Sequence, residues 1–106
     1  MTKIWYSVEK TYINTAGHAG GGEPGHDIIC AGVSAIMHAL LNSLMEEADR
    51  EHMKVTWIME PGKMLINTQV ESKYYKERAK DYYRMAVIGL MAVAENYPGN
   101  IEIKEV

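Results

Sequence analysis

The side chains best suited to covalent chemistry lie close together in the chain, between residues 18 and 30. Cys30 is the only cysteine, and His18 and His26 precede it by twelve and four residues. A cysteine attacks a carbonyl as the thiolate, and a nearby imidazole can take up the thiol proton. The segment therefore predicts nucleophilic catalysis by Cys30 with a histidine as general base. The spacing alone does not decide between His18 and His26.

Cys30 is predicted to lie in the first turn of a helix that begins near Asp27, a residue type favoured at the N-cap. The positive end of a helix dipole favours a thiolate at this place. From residue 11 to residue 45 there is no Lys or Arg, and the only charged residues are Glu23 and Asp27. Activation of the thiol from within this segment must therefore come from the helix end and a histidine.

Glycine dominates the segment between His18 and this helix. Five of the nine residues from 17 to 25 are glycine, and Pro24 adds a further break. These glycines are Gly17, Gly20, Gly21, Gly22 and Gly25. Because glycine has few backbone restrictions, we predict a mobile loop that could bring His18 over the helix end.

Two other functions are compatible with the same residues. His18, His26 and Cys30 could bind zinc, which accepts mixed imidazole and thiolate ligands, although their spacing matches no usual finger pattern. Alternatively, Cys30 is a small packed apolar side chain, as lone helical cysteines usually are, and the chain is a non-catalytic interaction module. Metal analysis tests the first alternative, and iodoacetamide reactivity near neutral pH tests the second.

Three further polar residues follow the candidate nucleophile. Ser34 lies one helical turn after Cys30 and is expected to bond back to the carbonyl of the preceding turn. His38 continues the same four-residue spacing and is predicted to be a core or interface histidine. His52 follows a charged run and is predicted to be solvated.

The elements that must position these residues follow from the hydrophobic periodicity. Strand-like alternation covers residues 4–8, 12–16, 53–59, 64–70 and 101–103, and residues 60–63 (Glu-Pro-Gly-Lys) suit a type II turn. Helical stripes cover residues 27–51 and 71–97, and Pro98-Gly99 ends the second. The predicted fold is α+β, a single domain over residues 1–106 in the order ββαββαβ. One antiparallel or mixed sheet carries two helices packed on it.

Composition narrows the class of protein. The chain has 106 residues, 47% hydrophobic and 24% charged, as expected of one globular domain. A formal net charge of −3 predicts no nucleic-acid partner, and a single cysteine excludes an intramolecular disulfide and favours the cytoplasm.

The start of the chain does not have the pattern of a signal peptide, and the apolar stretch 28–45 predicts a buried helix rather than a membrane span. Residues 73–84 hold five basic and two acidic residues, which predicts a solvated helix face, with an acidic or ribosomal partner as the alternative.

The segment around Cys30 resembles a known family. Gly17-His18-Ala19, then Gly22-Glu23 and the run from Gly25 to Ser34 are similar to the motif of the ribosomal-processing cysteine protease family, Prp. That motif is a Gly-His-Ala triplet, a glycine-rich loop, and a GxDI[VI]CAxxS run that opens a helix. The twelve-residue spacing from His18 to Cys30 matches, and the motif covers eighteen of the 106 residues.

The resemblance implies a function and a role for each motif residue. It implies a cytoplasmic bacterial cysteine endopeptidase that removes an N-terminal extension from a large-subunit ribosomal protein, cutting after a short motif that ends in aromatic residues. His18 would be the general base, Cys30 the nucleophile, and Asp27 and Ser34 supporting residues. It further implies a homodimer, a loop that closes on the protein substrate, and no metal or other cofactor.

The resemblance leaves the substrate open. Relatives act on phage capsid or scaffold proteins, and a prophage member would carry the same motif. Gly20-Gly21-Gly22 makes the loop richer in glycine than usual, and Pro24 stands where a bulkier residue is common. These departures bear on loop motion and substrate choice, and leave the His18 and Cys30 pair intact.

Overall fold

Residues 1–17 and 28–106, which this computed structural model describes, form five strands and two helices in the predicted order ββαββαβ. The strands are β1 (Thr2–Ser7), β2 (Tyr12–Ala16), β3 (Lys54–Glu60), β4 (Lys63–Gln69) and β5 (Ile101–Glu105). The helices are α1 (Ile28–Asp49) and α2 (Lys73–Asn96). Each element lies within a few residues of its predicted bounds, and the α+β prediction is confirmed.

The described strands form one mixed sheet in the order β3-β4-β2-β1-β5. β1 and β5 run parallel, and the other neighbouring strands are antiparallel. β2 and β3 therefore point the same way, as do β4 and β5, and each of these pairs is joined through a helix. A connection between strands of the same direction must cross back over the sheet, so α1 and α2 both lie across it.

The core lies between the helices and one face of the sheet. Strand alternation places Ile4, Ile13 and Ile66 on that face, with Ile13 paired to Ile66, and all three are buried. From the helices, Met37 of α1 and Leu90 of α2 are fully buried in the same cluster. Burying a side chain of this size stabilises the fold by about 1.5–3 kcal/mol. The opposite face of the sheet is not covered by either helix.

Helix α1 is long and apolar enough to cross a membrane, by length and composition alone. In the fold its buried residues Ile29, Val33, Met37 and Leu40 belong to the core cluster. This packing is what the sequence predicts for a buried helix.

The N-terminus of α2 is set by a side-chain cap. Ser72 is extended, and its hydroxyl oxygen accepts a hydrogen bond from the backbone N–H of Tyr75 at 3.4 Å. An N-cap serine satisfies one of the N–H groups that a helix start leaves without an intrahelical partner. The helix therefore begins at Lys73, two residues after the start predicted from periodicity.

The C-terminal end of α1 is tied to α2 by a buried carboxylate. Glu47 is only 2% exposed, and its carboxylate lies 2.8 Å from His52 Nδ1, 3.0 Å from Arg78 Nη1 and 3.1 Å from Tyr82 Oη. The His52 ring also stacks on Tyr75, with ring centroids 3.7 Å apart. The prediction that His52 is solvated is therefore wrong, because it packs between Glu47 and Tyr75 rather than in water.

The charge of Glu47 follows from these contacts. Burial raises the pKa of its carboxyl, but hydrogen bonds from His52, Arg78 and Tyr82 favour the carboxylate and lower the pKa below its usual value. Glu47 is therefore ionised at neutral pH although it is buried.

The basic residues of α2 are largely paired within the chain. Arg78 pairs with Glu47, Lys80 lies 3.0 Å from Glu9 and 3.4 Å from Glu77, and Arg84 pairs with Asp81. Most of the basic side chains in residues 73–84 therefore have an acidic partner within the chain, and the run does not require an external acidic partner.

Candidate active site

Cys30 lies in the first turn of α1, partly exposed, on the wall of a cavity of about 300 Å³. Val33 and Ser34 of the same helix line this cavity, together with Thr2, Thr15 and Gly17 from the sheet. The remaining described lining comes from the β3–β4 hairpin: Met59, Glu60, Pro61, Gly62 and Met64.

The strand order brings these segments together at one end of the sheet. Gly17, which follows β2, and Cys30, at the start of α1, line the same cavity, so the end of β2 lies near the start of α1. Thr15 is the cross-strand partner of Met64, and Met64 is in turn the partner of Met59. The β3–β4 turn therefore lies beside the end of β2, and both border the cavity that contains Cys30.

Gly17 is held in place by the β3–β4 turn. Its backbone N–H donates a hydrogen bond of 2.9 Å to the carbonyl oxygen of Gly62. Its φ is +91°, a region that favours glycine, and a Cβ at this position would lie 2.6 Å from the carbonyl oxygen of Met1. Only glycine fits here, so the residue that precedes His18 in the chain has a defined position on the cavity.

The β3–β4 turn has the geometry that its sequence predicts. Pro61 occupies the position where a φ near −65° is wanted, and Gly62 has φ +79°, as the third residue of a type II turn requires. Glu60 at the start of the turn and Met64 just after it both line the cavity.

The part of the cavity wall formed by the described residues is mainly apolar. Val33, Met59 and Met64 supply apolar side chains, while Thr2 and Thr15 contribute buried threonines. An apolar wall of this kind suits an apolar side chain of a ligand.

Ser34 connects the cavity to His38. Its hydroxyl oxygen lies 3.3 Å from His38 Nδ1, and the same nitrogen lies 2.8 Å from the Ser34 carbonyl oxygen. His38 is exposed, so the core alternative predicted for it is wrong. Its position on the outward side of α1 leaves the interface alternative open.

The structure brings three of the predicted site residues to one cavity, namely Gly17, Cys30 and Ser34. His18, His26 and Asp27 lie outside the described residues, as do Gly20, Gly21, Gly22 and Gly25. In the part of the chain that is described, no group of three or more His, Cys, Asp or Glu side chains is placed to hold a metal ion. The proposed His18, His26 and Cys30 zinc site involves residues outside that part, and stays untested.

Sequence reasoning missed the contribution of the hairpin. The sequence predicts Met59 and Met64 as strand residues and Glu60 as the first residue of the turn, and nothing in their local pattern indicates which end of which helix they meet. The pairing of Thr15 with Met64 is what places them at the cavity.

Comparison with known proteins gives a family match and similar solved structures. The family model described as "Cysteine protease Prp" matches residues 1–102. No curated protein sequence matches the chain.

Solved structures agree over nearly the whole chain. The ribosomal processing protease Prp from S. aureus, with a covalently linked product peptide, superposes with a TM-score of 0.78 at 25% identity, covering 99% of this chain and 97% of that chain. A protein from Streptococcus mutans gives a TM-score of 0.74 at 28% identity, covering 99% and 91%. The S. aureus protease with a substrate peptide gives a TM-score of 0.73 at 24% identity over 100% of both chains, a likeness of fold.

Proposed function

The chain belongs to the cysteine protease Prp family, and from this premise we propose that it is an endopeptidase in which Cys30 is the nucleophile and His18 the general base. The observation that supports the pair of Cys30 and His18 is the position of Gly17. It borders the same cavity as Cys30, and its hydrogen bond to Gly62 anchors it there. His18 follows Gly17 directly in the chain and belongs to the Gly-His-Ala triplet of the family resemblance, whereas His26, four residues before Cys30, lies outside that triplet.

The proposed reaction has two stages. His18 takes the proton of the Cys30 thiol, and the sulfur attacks the scissile carbonyl carbon. The C–N bond then breaks, His18 gives the proton to the leaving amine, and a thioester remains on Cys30. In the second stage, water attacks the thioester with His18 again as base, which releases the new carboxylate and restores the thiol.

The position of Cys30 at the start of α1 favours the two negatively charged species of the proposed reaction. The positive end of the helix dipole stabilises the thiolate before attack and the negatively charged oxygen that forms during it. Ser34 lies on the same cavity one turn later. We assign Ser34 and Asp27 supporting roles, in which they keep the reacting pair in place.

The proposed substrate is the precursor of a large-subunit ribosomal protein, cut in the cytoplasm to remove an N-terminal extension. Two findings support it. The S. aureus relative is a ribosomal processing protease crystallised with a product peptide. The apolar cavity beside Cys30 also suits a large apolar side chain at the cleavage site. A phage capsid or scaffold protein is the alternative substrate.

We further propose that the protein works as a homodimer through the outward side of its helices. We call this the outer helix surface, and define it by the exposed residues Ala35 and Ala39 of α1 and Met85, Ile88 and Ala92 of α2. Met85 and Ile88 are 70% and 62% exposed. α1 carries no charged residue from 28 to 45. An exposed helix surface with so little charge is typical of a protein interface.

The two helices that carry this surface pack against each other. They approach closely where Ile36 packs against Gly89, since the Ile36 side chain lies 3.2 Å from where a Cβ on Gly89 would be. Ala35 is the chain neighbour of Ile36 and Ile88 is the chain neighbour of Gly89, so both helices contribute residues of the outer helix surface close to this contact. A second copy of the chain, with the same apolar patch, is the partner that such a self-complementary surface fits.

The experiment that tests the reaction uses the ribosomal-protein precursors and phage structural proteins of the source organism. Each is incubated with wild type, Cys30→Ala and His18→Ala, and the products are read by intact mass. We expect a single cleavage near the N-terminus of one precursor with wild type and none with either variant.

The matched control is Asn42→Ala, which removes an exposed polar side chain of α1 that does not line the cavity. It should cleave at close to the wild-type rate. Cleavage that persists in Cys30→Ala would end the assignment of the nucleophile, and cleavage that persists in His18→Ala while His26→Ala is inactive would move the base to His26.

A further inference from the structure

The strand β3 forms one edge of the sheet that the described residues build. Of the two edge strands, β5 carries three charged side chains, Glu102, Lys104 and Glu105, whereas residues 55–59 of β3 carry none. An uncharged edge is open to pairing with another extended chain, which proteins usually prevent with charged side chains. We infer that the β3 edge binds the protein substrate as an added strand, and that Trp57 contacts an apolar side chain of that strand. The inference rests on the proposed function, because it concerns how the same site holds its substrate.

The middle of β3 is exposed to solvent. Thr56, Trp57 and Ile58 are exposed in succession, and the exposed fractions of Trp57 and Ile58 are 50% and 38%. Residues 65–67 of the neighbouring strand β4, which has a strand on each side, are half-buried or buried. A tryptophan that remains half exposed in the folded chain gains binding energy when an apolar group of a ligand covers it.

Two backbone hydrogen bonds show which residues of β4 bond to β2. The carbonyl oxygen of Gly62 accepts a 2.9 Å hydrogen bond from the N–H of Gly17. The N–H of Thr68 donates a 3.0 Å hydrogen bond to the carbonyl oxygen of Thr11. In an antiparallel sheet the backbone groups of successive residues point to opposite sides of the strand. All even-numbered residues from 62 to 68 therefore direct their N–H and C=O groups to β2.

This direction leaves backbone groups of β3 at its free edge. Trp57 and Met59 are the cross-strand partners of Ile66 and Met64, two of those even-numbered residues. The N–H and C=O groups of Trp57 and Met59 are therefore not bonded to β4 and point away from it. Among the described strands, none lies on that side. A substrate segment in extended conformation can pair with these groups, which is the recognition mode called strand addition.

The side chains of Trp57 and Met59 lie on the helix-covered face of the sheet. Trp57 is paired with Ile66, which is fully buried in the core, and cross-strand partners share a face. Met59, two residues further along the same face, lines the cavity that contains Cys30. Residues two apart in a strand are about 6.5–7 Å apart. A substrate strand that directs one side chain to the cavity would therefore place another, two residues away, beside Trp57.

The substrate is the occupant that this arrangement favours, because the edge strand ends at the cavity. β3 leads into the β3–β4 turn, where Gly62 accepts the hydrogen bond from Gly17 beside the cavity. An extended polypeptide along β3 is therefore aligned with the place where Cys30 attacks. The substrate class is a polypeptide with large apolar side chains at two positions that are two residues apart. The competing occupant is the β3 edge of a second copy of the chain.

Tryptophan fluorescence can measure the contact because the chain has two tryptophans on opposite faces of the sheet. Trp5 follows the buried Ile4 in β1, and successive strand residues point to opposite faces, so Trp5 lies on the uncovered face. In Cys30→Ala with Trp5→Phe, the emission comes from Trp57 alone. In Cys30→Ala with Trp57→Phe, it comes from Trp5 alone, which makes this protein the matched control.

The probe is a tryptophan-free peptide that spans the cleavage site of the processed precursor. It should shift the emission of Trp57 to shorter wavelengths and leave the emission of Trp5 unchanged. Trp57 emission that stays unchanged at peptide concentrations that saturate cleavage by wild type would overturn the inference. A shift that appears without peptide, as the protein concentration rises, would assign the edge to a second copy and would also overturn it.

Alanine scanning of the peptide identifies the side chain that contacts Trp57. In wild type we expect one position, two residues from the apolar residue at the cleavage site, at which alanine lowers kcat/KM by about tenfold. In Trp57→Ala the same peptide change should have little further effect, because the contact is already lost. Trp57→Phe should retain most of the wild-type sensitivity. Equal alanine effects in wild type and Trp57→Ala at every position would reject the role of Trp57.

N-methyl amino acids in the peptide test the strand pairing. An N-methyl group removes one backbone donor, and only alternate residues of an added strand direct their N–H to β3. We therefore expect N-methylation to weaken binding to Cys30→Ala at every second position of the paired segment. Losses of affinity without this alternation would reject strand addition.

The two readouts separate this inference from the proposed catalysis. If no precursor is cleaved, peptides that tile the N-terminal segments of the same candidate precursors are the probes. Binding that shifts Trp57 emission without any cleavage supports the edge site and rejects the protease assignment. Cleavage that depends on Cys30 but is the same in Trp57→Ala supports the protease and rejects the edge site.

Discussion

The backbone N–H of Gly17 donates a 2.9 Å hydrogen bond to the carbonyl oxygen of Gly62. This contact joins the end of β2 to the β3–β4 turn, two segments that are 45 residues apart in the chain. Both border the cavity that contains Cys30. The contact fixes where the chain leaves the sheet before His18, and so sets the starting point of the segment that carries the proposed base.

Gly17→Ala tests how much the reaction depends on this anchor. The new Cβ would lie 2.6 Å from the Met1 carbonyl oxygen at a φ of +91°. We expect a loss of about 1–3 kcal/mol in the free energy of unfolding and a fall of tenfold or more in kcat/KM, since small displacements of catalytic groups are costly. Urea unfolding and peptide cleavage measure the two effects.

Gly99→Ala is the matched control for this variant. Gly99 has a similar φ of +89°, but nothing lies within 4 Å of the Cβ it would gain, and it does not border the cavity. It should lose stability through backbone strain and keep its activity per folded molecule. A full wild-type kcat/KM in Gly17→Ala would show that the anchor does not position the reacting residues.

Glu47→Gln tests the buried ionic cluster between α1 and α2. The amide keeps the shape of the side chain but loses the charge that His52 and Arg78 stabilise. We expect the free energy of unfolding at pH 7 to fall by about 1–3 kcal/mol. Glu46→Gln, at an exposed neighbouring position, should change it by less than about 0.5 kcal/mol. A Glu47→Gln variant as stable as wild type would contradict a stabilising role for the carboxylate.

The contribution of Glu47 should also depend on pH. Its pKa in the folded protein is below the ordinary value of 4.5, because its hydrogen bonds outweigh the effect of burial. The stabilisation is therefore fully present above pH values near 4.5 and is lost as the pH falls through the folded pKa. The difference in unfolding free energy between wild type and Glu47→Gln should shrink as the pH falls below 4.5 and through the lowered pKa of Glu47, as followed by urea unfolding at a series of pH values.

Tyr83 and Thr68 form a buried hydrogen bond between α2 and β4. Their side-chain oxygens are 2.8 Å apart, and burial raises the pKa of the Tyr83 hydroxyl far above its usual value, so it stays protonated. Tyr83→Phe leaves the Thr68 hydroxyl buried without this partner and should cost about 1–2 kcal/mol of unfolding free energy. In a double-mutant cycle, Thr68→Val should cost less in the Tyr83→Phe background than in wild type. Additive effects would show that the two hydroxyls do not stabilise each other.

Ile88→Glu tests the proposed dimer. A charge placed in the middle of the outer helix surface would be buried without a partner in a homodimer, which disfavours association. We expect light scattering to show a dimer for wild type and a monomer for Ile88→Glu at the same concentration.

Ile58→Glu is the control for general effects of a new charge. Ile58 is also exposed but lies on β3, away from the helices, and its substitution should leave the dimer intact. A wild-type protein that is a monomer at micromolar concentration, or an Ile88→Glu variant that remains a dimer, would reject the outer helix surface as the interface.

The sequence by itself determined the elements and the candidate nucleophile. Strands and helices follow from periodicity within single segments, because burial of one face repeats every two residues in a strand and about every 3.6 in a helix. Cys30 stands out because it is the only thiol and lies at the start of a helix that carries no charge from residue 28 to residue 45, and the motif from Gly17 to Ser34 carries the family resemblance. These are local properties that need no knowledge of which segments meet.

Only the tertiary structure decided which segments meet. The pairing of Thr15 with Met64 joins residues 49 positions apart and brings Glu60 to the cavity. The burial of Glu47 depends likewise on Arg78 and Tyr82, more than thirty residues away. From the sequence alone, a glutamate in a charged run is expected to be exposed to solvent. Its burial becomes favourable only with the hydrogen bonds of these partners, which offset the cost of removing its charge from water. Periodicity carries no information on such distant partners.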